Sequence, residues 1–175
     1  MAETAQNHGA FSLRLVTEKR LHELAAWPGA ESALQALLGE LTARLDEGSY
    51  LLHVGPSRYW LLETGQSIVD ASVIAFAGNG LAITVLSHSH TLFKLSGNSV
   101  RDVLRKGLPI DLHPAAFPEG SMAISAIEGI RVAVVRNGSH YDLLCPRSFT
   151  DSLRHWLLDA ALEFTQTDPS NGSTR

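Results

Sequence analysis

Cysteine is nearly absent from this 175-residue chain. The lone Cys145 cannot form an intrachain disulfide, and without a second cysteine there is no zinc ribbon or cluster site, so redox and Cys-metal chemistry drop out. An excess of one charge is missing too. With 14 Lys+Arg against 18 Asp+Glu, the formal charge is -4, which creates no field for phosphate backbones or anionic lipid. Nucleic acid and membrane surfaces are therefore not expected partners. No run of about 18 apolar residues offers a membrane span. The first eleven residues are polar and carry Glu3 where a signal peptide would need basic residues and then an apolar core. A cytoplasmic location is the expectation.

Several motifs are absent as well. There is no Gly-x-Ser-x-Gly elbow and no phosphate-cradling Gly-Lys-Ser/Thr. Gly78-Asn79-Gly80 lacks the third glycine of a dinucleotide fingerprint and opens a strand rather than a helix. Asn137-Gly138-Ser139 and Asn171-Gly172-Ser173 match the glycosylation triplet, a pattern common by chance and idle in a protein that is not secreted.

What is present is a globular composition, 45% hydrophobic and 18% charged. A chain of this length buries about 70% of the surface its unfolded form exposes. One domain is expected over residues 11–165, between polar, turn-rich tails at 1–10 and 166–175. Phe11, Leu13 and Leu15 alternate with Ser12, Arg14 and Val16 as in a strand with one buried face. Residues 20–27 fit either a strand or a helical stripe and stop at Pro28-Gly29. Leu34, Leu37, Leu38, Leu41 and Leu45 recur every three or four residues, predicting an amphipathic helix that Gly48 ends.

Residues 50–54 and 59–63 flank Gly55-Pro56-Ser57-Arg58 as a hairpin. Residues 81–86 and 91–95 read as strands around Ser87-His88-Ser89-His90. A short helix follows, with Ser96-Gly97-Asn98 offering capping oxygens and Gly107 as a left-handed stop. Three strands at 122–127, 130–135 and 141–145 come next. In the last helix Ser148 or Thr150 is the cap, and Leu153, Trp156, Leu157, Ala160, Ala161 and Phe164 share one face. This order predicts an α+β fold in which strand-helix-strand-strand units repeat roughly, as in two ferredoxin-like halves.

Little of this is reactive. The spacing of His88 and His90 would place both imidazoles on one face of a strand, and Asp111 or His113 is the nearest third ligand by composition. Most histidine pairs at turns are nevertheless solvated or hydrogen-bonded, and that plainer reading prevails. Ser139-His140-Tyr141-Asp142 has the residue types of an acyl-transfer triad, but adjacent strand positions point to opposite faces. Cys145 ends an apolar strand with no flanking His or Lys to lower its pKa, so it reads as a buried structural thiol. Trp60 and Trp156 read as core, while Trp27 suits either core or docking.

The unusual feature is the stretch 106–120, which holds Leu108, Ile110, Leu112 and Phe117 among Pro109, Pro114 and Pro118. Its apolar residues can fold back over the core or form a contact surface, since a stiff loop loses little entropy on docking. Under the second reading Ile110, Asp111, His113 and Phe117 form a partner interface.

The same stretch carries a resemblance. Leu95-Ser96-Gly97, Lys106-Gly107, Pro109-Ile110-Asp111-Leu112-His113-Pro114, Phe117-Pro118, Pro146-Arg147-Ser148-Phe149 and Trp156-Leu157-Leu158-Asp159-Ala160-Ala161 closely resemble the gamma subunit of heterotetrameric sarcosine oxidase. Gly55-Pro56 followed by Trp60-Leu61-Leu62 also resembles that family. Leu108 and Met122 stand where cysteine is expected in many members, a change of packing more than of chemistry.

The family is similar in fold to the folate-binding domain of the glycine-cleavage aminomethyltransferase, in keeping with the ferredoxin-like halves. The resemblance implies an assembled enzyme that demethylates sarcosine to glycine, reduces oxygen to hydrogen peroxide, and passes a one-carbon unit to tetrahydrofolate or releases formaldehyde. It implies alpha, beta and delta subunits as partners, mainly alpha. FAD, FMN and NAD would belong to alpha and beta and zinc to delta, leaving no cofactor on this chain. The aminomethyltransferase relatives use an aspartate just before the strand that runs into the Leu-Ser/Thr-Gly turn. Here no Asp or Glu occurs between Asp70 and Asp102, and a neutral side chain can neither accept the proton nor stabilise the developing cation. No catalytic residue is expected. The alternative is a folate-binding or aminomethyl-transfer module acting by itself, with His88 or His90 replacing the carboxylate.

Overall fold

The structure, a computed structural model, describes residues 5–8, 10–46 and 48–164. In chain order its elements are β1 (Ala5–His8), β2 (Phe11–Val16), β3 (Arg20–Ala26), α1 (Glu31–Arg44), β4 (Ser49–Gly55), β5 (Arg58–Glu63), α2 (Ala71–Ala75), β6 (Leu81–Val85) and β7 (His90–Ser96). They continue with α3 (Val100–Arg105), β8 (Met122–Ile127), β9 (Ile130–Asn137), β10 (His140–Pro146) and α4 (Thr150–Ala161). The α+β class holds. Contacts divide the chain into two compact units where the sequence suggested one domain: residues 18–90 form one, and those up to Thr17 join those from Thr91 onward in the other.

The 18–90 unit runs β3-α1-β4-β5-α2-β6 with strand order β4-β5-β3-β6, the ferredoxin-like arrangement. Its core forms because Leu34, Leu37, Leu38 and Leu41 fall on one side of α1 and meet Leu24, Leu61, Val73 and Leu81. The ambiguous segment 20–27 is the inner strand β3, paired on one side with β5 and on the other with β6. Leu21, His22 and Leu24 are all buried, so the strand lacks the clean alternation that would have identified it. Helix α1 stops at Arg44 with Leu45 extended, before Gly48 is reached.

The other unit holds a six-stranded sheet, β1-β2-β7-β10-β9-β8, and repeats the strand-helix-strand-strand order in β7-α3-β8-β9. Its two halves are not consecutive in sequence. β2 pairs antiparallel with β7, from Ser12↔Ser96 to Val16↔Leu92, so the 18–90 unit is inserted between two neighbouring strands. Strands β6 and β7, read together from the sequence, lie in different sheets. Within 1–10, expected as tail, Ala5–His8 pairs with β2; the 166–175 tail lies outside the described residues. Among the described residues, no helix is long and apolar enough to cross a membrane.

Two glycines explain how this unit closes. At Gly97, with φ of 110°, a Cβ would strike the backbone carbonyl of Ala10, and the Ser99 amide donates to that carbonyl at 3.0 Å. Gly107, expected as a left-handed stop, has no positive φ; instead the Trp156 ring packs where its Cβ would be. Neither Ser148 nor Thr150 caps α4, which follows a short 3-10 turn at Arg147–Phe149, and Thr150 Oγ1 donates back to the Arg147 carbonyl at 2.8 Å. The β8–β9 hairpin turns on two residues, Glu128 (φ 48°) and Gly129 (φ 76°).

Gly97→Ala is expected to cost about 2 kcal/mol or more in denaturant unfolding, because strain and clash act together. Glu128→Asn should raise stability by about 0.5–1 kcal/mol, since asparagine tolerates the left-handed region and suits a two-residue hairpin turn.

Candidate functional site

The stretch leaving α3 turns its apolar residues inward and its polar residues outward. Leu108, Leu112 and Phe117 are buried in the core beside Val103, Leu104 and Leu157, and Ile110 packs against that core while staying half-exposed. Phe117, expected at a partner interface, lies in the core instead. It is 7% exposed, and its carbonyl is fixed by Arg136 Nη1 at 2.7 Å.

The polar residues fold the loop. Asp111 Oδ1 accepts the His113 amide at 2.8 Å, and His113 Nδ1 accepts the Ala115 amide at 3.2 Å. The His113 carbonyl accepts the Ala116 and Phe117 amides at 2.9 and 2.8 Å. With three prolines and these turns, the loop is stiff before any partner arrives. Ile110, Asp111 and His113 do come together. With Arg101 and Arg105 they line a groove of ≈ 550 Å³ between α3 and the loop.

The histidine pair does not form as the spacing suggested. His88 is exposed in a turn, and only His90 belongs to β7, where its Nδ1 meets Ser89 Oγ at 2.9 Å and its ring lies edge-on to Trp60 at 4.7 Å. Among the described residues, no three of His, Cys, Asp and Glu gather as a metal would require. Tyr141 and Asp142 are buried while His140 is partly exposed, and no triad geometry arises. Cys145 is fully buried, which pushes its thiol up to about 11, so it stays protonated at neutral pH. Trp60 is half-buried, donating Nε1–H to Glu23 Oε2 at 3.1 Å, Trp156 packs partly buried on the core, and Trp27 is 68% exposed.

One charged cluster escaped sequence reasoning. Glu63, at the end of β5, is fully buried; its Oε1 accepts the Ile68 amide at 2.6 Å, and its Oε2 lies 3.5 Å from His22 Nδ1 and 4.0 Å from Arg20 Nε. The Arg20 guanidinium also donates to the Gly65 carbonyl. The cluster thus ties the 64–68 segment to the sheet. A clue lay in the run Tyr59-Trp60-Leu61-Leu62-Glu63, which ends an apolar strand on an acid.

The segment 84–88, where the resemblance calls for an acid, closes β6. Ser87 Oγ accepts the Leu21 amide at 3.0 Å, and the Ser87 carbonyl accepts Lys19 Nζ at 2.7 Å. No Asp or Glu lies in residues 84–88.

Known proteins share this sequence pattern and fold. A family model described as "Sarcosine oxidase, gamma subunit family" matches residues 35–163. The chain is 32% identical to the sarcosine oxidase subunit gamma of Arthrobacter sp. over 167 residues, covering 89% of this chain and 82% of that protein. Among solved structures it is similar to a chain of the heterotetrameric sarcosine oxidase from Corynebacterium sp. U-96, with TM-score 0.75 and 26% identity over 96% of this chain and 91% of that one. The glycine cleavage system aminomethyltransferase T from Bartonella henselae shares the fold, with TM-score 0.56 and 16% identity over 82% of this chain and 44% of that one.

Phe117→Ala is expected to cost about 3 kcal/mol or more in chemical denaturation, whereas His113→Ala, at an exposed site, should stay within about 1 kcal/mol. Burial lowers the pKa of His22, against the opposing pull of Glu63, and burial likewise lowers that of His140. The unfolded chain therefore binds protons more readily than the folded one just below the ordinary value of 6.5. Stability is full above that pH and is lost as pH falls below it. Thermal melts should decline as the pH falls below 6.5, and H22Q with H140Q should flatten that slope.

Proposed function

Because the chain belongs to the sarcosine oxidase, gamma subunit family, we propose that it is a noncatalytic structural subunit of a heterotetrameric sarcosine oxidase. What supports this reading is the absence of any Asp or Glu from residues 71–101, the stretch in which the resemblance calls for an acid; just past β6, Ser87 instead accepts the Leu21 amide and the Lys19 ammonium. Proton transfer and charge stabilisation both require a titratable or anionic group at that point. The buried acid that the same unit does have, Glu63, is spent on holding a loop.

In this reading the complex acts in the cytoplasm. It demethylates sarcosine to glycine, reduces oxygen to hydrogen peroxide and yields methylene-tetrahydrofolate or formaldehyde. FAD, FMN and NAD belong to the alpha and beta subunits, where they would supply the redox chemistry, and redox-inert zinc belongs to delta. This chain contributes shape. It docks chiefly on alpha through the groove between α3 and the proline loop, with Ile110, Asp111 and His113 at the contact. The loop's internal hydrogen bonds support this role, because a segment ordered in advance loses little entropy on association.

Coexpression with the other subunits tests the proposal. The purified chain alone should show no flavin absorbance and no tetrahydrofolate binding, and it should copurify with alpha. Ile110→Asp combined with His113→Glu should reduce copurification about tenfold while the lone chain keeps its cooperative melt. Saturable tetrahydrofolate binding by the isolated chain would favour the self-sufficient transfer module instead.

A further inference from the structure

We infer that a cleft beside α3 binds a small oxyanion, a carboxylate or a phosphate, through Arg101, Arg136 and the Tyr141 hydroxyl. The cleft measures ≈ 370 Å³ and is lined by these three side chains together with Asn98 and Ser139. It lies wholly within one compact unit and shares Arg101 with the groove proposed above as a docking surface, so its test uses the chain by itself.

Three observations converge on it. The first is charge. The guanidinium of Arg136 is held by the carbonyls of Phe117 at 2.7 Å and Gly138 at 3.4 Å, two neutral acceptors that fix its position without cancelling its charge. Arg101 makes no ion pair among the described residues, and the neighbouring Asp102 lies 3.7 Å from Arg105. Glu119, whose carboxylate is near Gly138, pairs with neither arginine among the described residues.

The second is an unmet donor. Tyr141 is 2% exposed, yet its hydroxyl has no hydrogen-bond partner among the described residues. A buried hydroxyl is seldom left unmatched, because its desolvation is then uncompensated. The third is electrostatic. Burial raises the phenol's pKa, and the charges of Arg136 and then Arg101 pull it back, so the hydroxyl senses both cations.

Two guanidinium forks, an O–H donor and the amide of Asn98 match the lone pairs of one oxyanion, and charge-assisted bonds of this kind are the strong ones. No lysine lines the site. The volume suits a small organic acid or phosphate ester rather than a polymer.

The full chain should be titrated calorimetrically at low ionic strength with sodium succinate and with sodium phosphate, against sodium chloride at matched ionic strength. Saturable binding with a dissociation constant of order 1 mM or tighter is expected for at least one of the two anions. Arg101→Ala, at an exposed position, should weaken binding about tenfold. Tyr141→Phe should weaken it several-fold while leaving the melting temperature unchanged or higher, because the hydroxyl makes no bond in the free protein. Succinate alone would assign the site to carboxylates and phosphate alone to phosphate esters. Binding no stronger than that of chloride, or equal in wild type and Arg101→Ala, would overturn the inference.

Discussion

The Ala10 carbonyl ties the larger sheet to the helix that follows β7. It accepts the Ser99 amide at 3.0 Å and faces Gly97 so closely that no side chain fits between them. This contact exists only because β2 lies against β7, and that pairing must close across the whole inserted 18–90 unit. Loop-closure entropy grows only logarithmically with length, so a long insertion is affordable provided the pairing itself is strong. Phe11, Leu13, Phe93 and Leu95, all buried, supply that strength.

From that anchor the placement of the functional groups follows. With its start tied to Ala10, α3 buries Val100, Val103 and Leu104 and leaves Arg101 and Arg105 facing out. The proline loop then packs Leu108, Leu112 and Phe117 into the same core. Its outward residues cannot point elsewhere, because inward and outward positions are set together. Arg136, from β9, closes the arrangement by clamping the Phe117 carbonyl. The polar face is thus fixed by apolar burial underneath.

Much of this was legible in the residues. The leucine spacing of α1, the turn at Gly55-Pro56-Ser57-Arg58 and the three closing strands are local patterns, and the structure contains each of them. Sheet order was not legible, because β2 pairs with a strand some eighty residues away and no local signal encodes that distance. Strand β3 was ambiguous because burying Leu21, His22 and Leu24 together removes the period of two. At the candidate site, Ile110, Asp111 and His113 could be gathered from sequence because they are neighbours in it. Phe117 could not be assigned to core or surface, since composition does not say which way a ring points. Glu63 was invisible for a related reason: an acid at a strand end ordinarily meets water, and only the fold brings Arg20 and His22 to it.

The insertion also sets an order of events during synthesis. Ribosomes release about 5–20 residues each second, so the 18–90 unit emerges with its core residues complete before β7 has left the exit tunnel. Strand β2 must wait several seconds with its hydrogen-bonding edge open, and its alternating Phe11, Leu13 and Leu15 make it the stretch of the nascent polypeptide most in need of a chaperone's cover.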